Sequence, residues 1–252
     1  MNNILIVGYG IVGKNLFNEI RNLCPDIYDK YKVEVNTKKN NKSYDFAFIC
    51  VDTPYIDENT PCDLTEVKSA LLENEAEIYL IKSTILPGSI DKLIEDTGKK
   101  IIFSPEYYGS THFSNNYIYN FTILGGEKEY CKKAIQLLQN VYDGRHRFIV
   151  VNSKTAELVK YMENAYLAMK VSFCTQFWSI AKEIGVDYEV LRELFVLDPR
   201  INPSNTFVFD EHPYWQSHCY DKDLAALSNV YDAPLIESVI NFNEMMKKIY
   251  KK

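Results

Sequence analysis

Gly8, Gly10 and Gly13 stand in the spacing Gly-x-Gly-x-x-Gly, one way in which a chain can hold a dinucleotide pyrophosphate. The first glycine permits a tight turn. The second lets backbone approach the phosphates, and the third lets a following helix pack closely on the preceding strand. That helix offers free N–H groups from its first turn, around Ile11 and Val12, to phosphate oxygens. Asp29 lies 21 positions after Gly8, where a carboxylate accepts hydrogen bonds from a ribose 2′-OH. This favours NAD, because a 2′-phosphate would be repelled, although Lys30 and Lys32 close behind leave NADP as an alternative. The plainer reading is a strand, a turn and a helix with Asp29 as a turn residue. The strand before, the helix after and the acid beyond the next strand together favour the dinucleotide.

Lys160 and Asn164 are spaced i, i+4 and share a helix face. A cation and an amide on one face can stabilise an alkoxide and then an oxyanion. A solvated lysine with a polar neighbour fits these two residues as well, and Leu158, Tyr161, Ala165 and Leu167 leave open which face is buried. His212, His218 and Cys219 invite a zinc site, but His-x5-His-Cys is not a usual ligand spacing, so no metal is expected.

These residues need elements to position them. Short apolar runs at Ile4–Val7, Asp26–Asp29, Tyr44–Val51, Ile78–Ile81, Ile101–Phe103 and Phe121–Leu124 read as strands. Helical patterns lie between several of them: one through about Leu23, then Asp63–Asn74 and Ser89–Asp96. That alternation predicts an α/β fold with a doubly wound parallel sheet of Rossmann type. After Val151 the character changes. A long helix is predicted over Thr155–Ile184, then one at Tyr188–Phe195, an irregular loop over Leu197–Cys219, and helices from Asp221 to Val230 and from Pro234 onward. The expected division is an NAD-binding domain over 1–152 and an all-α domain with a long central helix over 153–252. Phe173, Phe177 and Trp178 on the long helix are expected in the core.

Composition narrows the class. The 252 residues are 46% hydrophobic and 25% charged, which excludes a disordered or collagenous chain. A net charge of −6 argues against a nucleic-acid partner. No run of 18 apolar residues predicts a membrane span, and Gly8, Gly10 and Gly13 interrupt an apolar start that lacks a basic leader. Six scattered cysteines without a Cys-x-x-Cys pair fit a reducing cytoplasm.

Further motifs follow in order: Val51-Asp52-Thr53-Pro54, Lys82-Ser83-Thr84, Ser104-Pro105-Glu106, Ala156-Glu157-Leu158-Val159-Lys160 with Asn164-Ala165, Asp198-Pro199-Arg200-Ile201, and Cys219-Tyr220-Asp221-Lys222-Asp223. With the glycine fingerprint, this series resembles the UDP-glucose/GDP-mannose dehydrogenase family from residue 4 to about residue 245. The resemblance implies oxidation of a nucleotide-sugar C6 alcohol, in UDP-glucose or a similar compound, to a carboxylate. It implies two NAD per turnover, and a place in polysaccharide biosynthesis. Cys219 falls at the nucleophile, a role that suits a thiol because thiolates are strong nucleophiles and thioesters hydrolyse readily; the other five cysteines read as structural. The resemblance further makes Lys160 and Asn164 the oxyanion-stabilising pair, and Asp223 the partner of the water and of Lys160. Glu106 becomes the base for thioester hydrolysis, and Thr84 a contact near the nicotinamide or water. Val51, Thr53, Pro54, Ser83 and Thr84 would line the cofactor. Tyr107 and Tyr108 would face the sugar nucleotide, Arg200 would reach that of the neighbouring subunit, and the long helix would form a homodimer.

Three departures stand against this. The family places glycines before its cysteine, where this chain has Pro213-Tyr214-Trp215-Gln216-Ser217-His218. A second family glutamate is replaced by Ser110. The family continues into a nucleotide-holding domain where this chain ends at Lys252, so a separate nucleotide-binding domain is an expected partner. Two other readings therefore compete: a two-electron hydroxyacid-type dehydrogenase built on Lys160 and Asn164, and an NAD-binding remnant with weak or no catalysis.

Overall fold

The computed structural model describes residues 2–38, 42–108 and 119–251. Ser110 lies outside them. Contacts divide the chain into two units, residues 1–54 with 62–160 and residues 55–61 with 161–252.

The first unit is built on a seven-stranded sheet. Its elements are β1 (Ile4–Val7), α1 (Ile11–Ile20), β2 (Asp26–Tyr28), β3 (Tyr44–Ile49), α2 (Thr65–Glu73), β4 (Ala76–Ile81), α3 (Ser89–Thr97), β5 (Ile101–Phe103), β6 (Phe121–Gly125), α4 (Lys128–Leu138) and β7 (Arg147–Val151). The strand order is β2-β1-β3-β4-β5-β6-β7. Alternate residues of the central strands feed two cores. Leu5, Val7, Ala47, Ile49, Tyr79 and Ile81 pack with Val67, Leu71, Ile90 and Leu93 of α2 and α3. Ile4, Ile6, Phe46, Phe48, Ile78 and Leu80 pack with Leu16 and Ile20 of α1 and with Ala134 and Leu138 of α4. Burial on both faces explains why these strands read as unbroken apolar runs.

The sheet is mostly parallel, with one exception to the expected pattern. β5 and β6 meet antiparallel at Phe103 and Gly125, and β7 then runs parallel to β6. Strand direction depends on the path of the connecting chain, which strand composition does not encode. The sequence reading also lacks α4 and β7. It carries the first helix to Leu23, whereas α1 ends at Ile20 and a 3-10 turn follows.

The helical elements are α5 (Ser153–Ile184), α6 (Tyr188–Phe195), α7 (His218–Val230) and α8 (Pro234–Tyr250). Within the second unit, Ala165, Ala168, Trp215, Leu224 and Val239 form the core. Gly185, at φ +74°, ends α5, and Asp187 caps α6 through the N–H groups of Glu189 and Val190. Two expectations are corrected here. Phe173 and Phe177 are about half exposed, and only Trp178 is buried, because the 32-residue helix presents more apolar positions than one core can cover. Cys219 lies inside α7, not in the loop before it, because Ser217 caps the helix four residues earlier than the expected start. No helix among the described residues is long and apolar enough to cross a membrane.

Candidate active site

The glycine turn is shaped by contact as well as by dihedral angle. Gly8 has φ +91°, and a Cβ there would meet the Cys50 carbonyl oxygen at 2.7 Å. A Cβ on Gly13 would lie 2.0 Å from the Gly8 carbonyl oxygen, so only glycine lets α1 approach β1 so closely. Gly10 differs. It has ordinary backbone angles, φ −76° and ψ −155°, and a Cβ on it would meet nothing within 4 Å. It is the N-cap of α1 without a side-chain cap, so the first N–H groups around Ile11 and Val12 are left for another acceptor.

Asp29 follows β2 and is 7% exposed. Its Oδ1 accepts from the N–H groups of Tyr31 and Lys32, both at 2.8 Å, and its Oδ2 accepts from Tyr9 N–H at 2.7 Å. The carboxylate thus latches the glycine turn and keeps one acceptor position on Oδ2. Burial opposes its charge, but the three backbone donors and the Lys32 ammonium outweigh burial and hold its pKa low. Lys32 Nζ is anchored on the Tyr9 carbonyl at 3.1 Å, and Lys30 pairs with Glu66. An open glycine cradle, an uncapped helix start and a charged acceptor beyond the next strand fit a dinucleotide.

Beyond the ends of β3 and β4 the predicted cofactor residues are tied together. Thr53 Oγ1 donates to the Thr84 carbonyl at 2.6 Å, and Ser83 Oγ donates to the Val51 carbonyl at 2.5 Å. Pro54 accepts the Asp63 N–H at 2.9 Å. Glu106 follows β5. Its Oε1 accepts from Tyr107 N–H at 2.7 Å, and its Oε2 lies 3.4 Å from Lys82 Nζ, which also donates to Ser104 Oγ. Tyr108 N–H is a second, longer donor to Oε1 at 3.3 Å. Tyr107 stacks on Tyr119 at 5.2 Å, and Lys160 Nζ sits 5.1 Å over the Tyr107 ring. Glu106, Tyr107 and Lys160 are thus neighbours in the first unit. Lys82 is the member that sequence reasoning left without a role, although a lysine closing an otherwise apolar strand is a visible signal.

The second unit holds the other group. Asn164 on α5 is buried, as is Lys160 one turn earlier at the end of the first unit, so the face that the sequence left open is a buried one. Asn164 Nδ2 donates to Asp223 Oδ2 at 2.6 Å, and Lys222 Nζ reaches Asp223 Oδ1 at 2.6 Å. Asp223 is 1% exposed and lies one helical turn after Cys219 on α7. Cys219 is exposed. It occupies the first turn of α7, where Ser217 Oγ accepts its N–H at 3.3 Å, and a helix N-terminus favours a thiolate. Arg200 is not drawn into this group: its guanidinium pairs with Asp198 at 2.6 Å and stays largely exposed. His212 Nδ1 meets Tyr214 Oη at 3.4 Å. Among the described residues no three metal-ligating side chains converge.

Comparison with known proteins identifies the family and the fold. Residues 19–145 match the NAD binding domain of the UDP-glucose/GDP-mannose dehydrogenase family, and residues 154–245 match its central domain. The chain is 27% identical to the UDP-glucose 6-dehydrogenase of Rickettsia prowazekii, covering 87% of this chain and 55% of that protein. It is 28% identical to the UDP-N-acetyl-D-mannosamine dehydrogenase of Methanocaldococcus jannaschii, covering 95% of this chain and 59% of that protein. The chain thus spans little more than half the length of these relatives. In fold it resembles a UDP-glucose dehydrogenase from Pyrobaculum islandicum, with a TM-score of 0.81 at 21% identity over 98% of this chain and 69% of that one. It also resembles the 3-hydroxyisobutyrate dehydrogenase of Mycobacterium tuberculosis, with a TM-score of 0.67 at 14% identity over 99% of this chain and 95% of that one.

Proposed function

Because the chain belongs to the UDP-glucose/GDP-mannose dehydrogenase family, whose cofactor is NAD, we propose that it oxidises the C6 alcohol of a nucleotide sugar to a carboxylate. The observation that carries this reading is the group in the second unit: an exposed Cys219 in the first turn of a capped helix, with a buried Asp223 bonded to Asn164 one turn further on.

The alcohol, two NAD and one water become the carboxylate, two NADH and three protons. When bound, NAD accepts a hydride in each oxidation. Lys160 and Asn164 stabilise the alkoxide from which the first hydride leaves. The Cys219 thiolate adds to the resulting C6 aldehyde, forming a thiohemiacetal whose oxidation leaves a thioester. Water then cleaves the C–S bond, with Glu106 taking its proton and Cys219 departing as thiolate. Asp223 orients Asn164, and Thr84 hydrogen-bonds near the nicotinamide or the catalytic water. Tyr107 and Tyr108 contact the sugar nucleotide, and the exposed Arg200 reaches that of the neighbouring subunit. The dimer reading is supported by Met162, Tyr166, Phe173, Phe177, Ile180 and Ile184, exposed apolar positions at helical spacing along α5.

A second reading, a two-electron hydroxyacid-type dehydrogenase relying on Lys160 and Asn164, is favoured by the fold likeness that spans 95% of the hydroxyisobutyrate enzyme. NADH counted against a panel of UDP-glucose, UDP-N-acetylmannosamine and GDP-mannose separates the two. Two NADH per sugar in the wild type, with the second lost in Cys219→Ser, support the first. One NADH untouched by Cys219→Ser supports the second. NAD binding without turnover points to a non-catalytic protein.

A further inference from the structure

Two side chains one turn apart on α8 reach the chain on either side of Cys219, Asn243 at Trp215 and Lys247 at Asp221. Asn243 is 1% exposed. Its Oδ1 accepts the Trp215 N–H and its Nδ2 donates to the Trp215 carbonyl, each at 2.9 Å. Trp215 is itself buried, and its Nε1–H donates to Ser172 on α5 at 3.0 Å. Two residues on, Ser217 caps α7 and donates its own N–H to Asp221 Oδ2 at 2.8 Å. Asp221 Oδ1 accepts from Lys247 Nζ, also at 2.8 Å.

The charges about this first turn are Asp221, Lys222, Asp223, Glu244 and Lys247. Lys222 is taken by Asp223, while Lys247 bridges Asp221 and Glu244. Burial works against the Lys247 charge, but its bonds to Asp221 and Glu244 win and raise its pKa, so it stays an ammonium. Asp221 lies two residues beyond Cys219. An uncompensated carboxylate there would oppose the helix N-terminus, which favours a thiolate.

We propose that Asn243 and Lys247 are positioning residues for Cys219: Asn243 suspends the chain entering α7, and Lys247 cancels the Asp221 charge so that the helix N-terminus acts on the thiolate unopposed. The inference rests on reading Cys219 as the nucleophile. It gives α8 a part in the chemistry through the residues that hold the start of α7.

Alkylation of the full-length protein by iodoacetamide at neutral pH, followed by peptide mass spectrometry, tests it without cofactor or sugar. The exposed Cys24 serves as internal standard. Lys247→Met should slow Cys219 alkylation roughly three- to tenfold, the scale of one screened unit charge, and Lys247→Arg should restore it. In an Asp221→Asn background, which keeps an oxygen for the Ser217 N–H, Lys247→Met should change nothing. Asn243→Ala should speed hydrogen exchange at the Trp215 amide by roughly tenfold or more. Equal alkylation in wild type and Lys247→Met overturns the role of Lys247, as does the same slowing in the Asp221→Asn background. Unchanged exchange at Trp215 overturns that of Asn243. If Lys247→Met does not fold, Lys247→Gln takes its place. Carboxylate formation with two NADH per sugar that survives Cys219→Ser defeats the nucleophile reading alone and leaves the alkylation result standing.

Discussion

Glu157 has no exposed surface and no part in the proposed chemistry, yet its removal should be among the costliest single changes in the first unit. Its Oε2 accepts the Gly88 N–H at 2.6 Å and its Oε1 accepts the Ile90 N–H at 2.8 Å, so the carboxylate closes the start of α3, which has no side-chain cap of its own. Glu157→Ala leaves two buried donors without an acceptor, at about 1–3 kcal/mol each. Partial access of water to the vacated space sets the expected loss at about 3 kcal/mol, a fall in Tm of about 6–12 °C for a chain of this size. The pH dependence is the sharper test. Burial raises the Glu157 pKa above its ordinary 4.5; the two N–H bonds and Lys154 pull it down, and Asp91 adds to the rise. The folded state then holds this proton more tightly than the unfolded state. The stabilisation by Glu157 is therefore fullest below pH 4.5 and declines as pH rises through the folded-state pKa. Urea unfolding of wild type and Glu157→Ala between about pH 4 and 7 should show a stability gap that narrows with rising pH. A gap that widens, or one below about 0.5 kcal/mol throughout, would refute this account of the cap.

Other changes have equally definite outcomes. Gly13→Ala drives a methyl group to within 2.0 Å of the Gly8 carbonyl oxygen and should unfold the first unit or leave it insoluble, as judged by circular dichroism. Lys82→Met strands the Glu106 carboxylate, whose side chain is 11% exposed; breaking such a pair should cost about 3–5 kcal/mol in urea unfolding, and a loss below about 1 kcal/mol would show that the pair is not buried in solution. Cys219→Ser should abolish the second NADH of a four-electron oxidation while leaving NAD affinity, measured by calorimetry, within about twofold of wild type, because Cys219 contributes nothing to the glycine turn.

What could be read in the sequence follows from how locally each feature is encoded. The glycine turn was legible because its dihedral and contact demands fall on single residue types at fixed spacing. The central strands were legible because burial on both faces leaves them almost wholly apolar. α4 was missed because its buried face is carried by Cys131, Ala134, Leu137 and Leu138 among charged neighbours, a weak apolar signal. The start of α7 was legible in principle, since Ser217 is a good cap, but the irregular run before it drew the loop too far. The Lys82–Glu106 pair joins residues 24 positions apart, and nothing local specifies that the chain brings them together. The roles given to Cys219, Asp223 and Thr84 rest on the resemblance, because a thiol, a carboxylate and a hydroxyl have ordinary uses at most positions. Only the burial of Asp223 and its bond to Asn164 separate that residue from a solvated acid.

The three glycines of the turn also differ in what enforces them. Gly8 and Gly13 are held by the protein itself, since a side chain at either would strike backbone whether or not a cofactor is present. Among the described residues no atom lies within 4 Å of where a Cβ on Gly10 would stand, and its backbone is extended with φ −76°. In a saturation library selected for folding alone, position 10 should therefore drift freely while positions 8 and 13 stay glycine. Selection for cofactor binding should be what restores glycine at position 10. The motif thus contains its own internal reference, with two glycines that report on the fold and one that reports on the ligand.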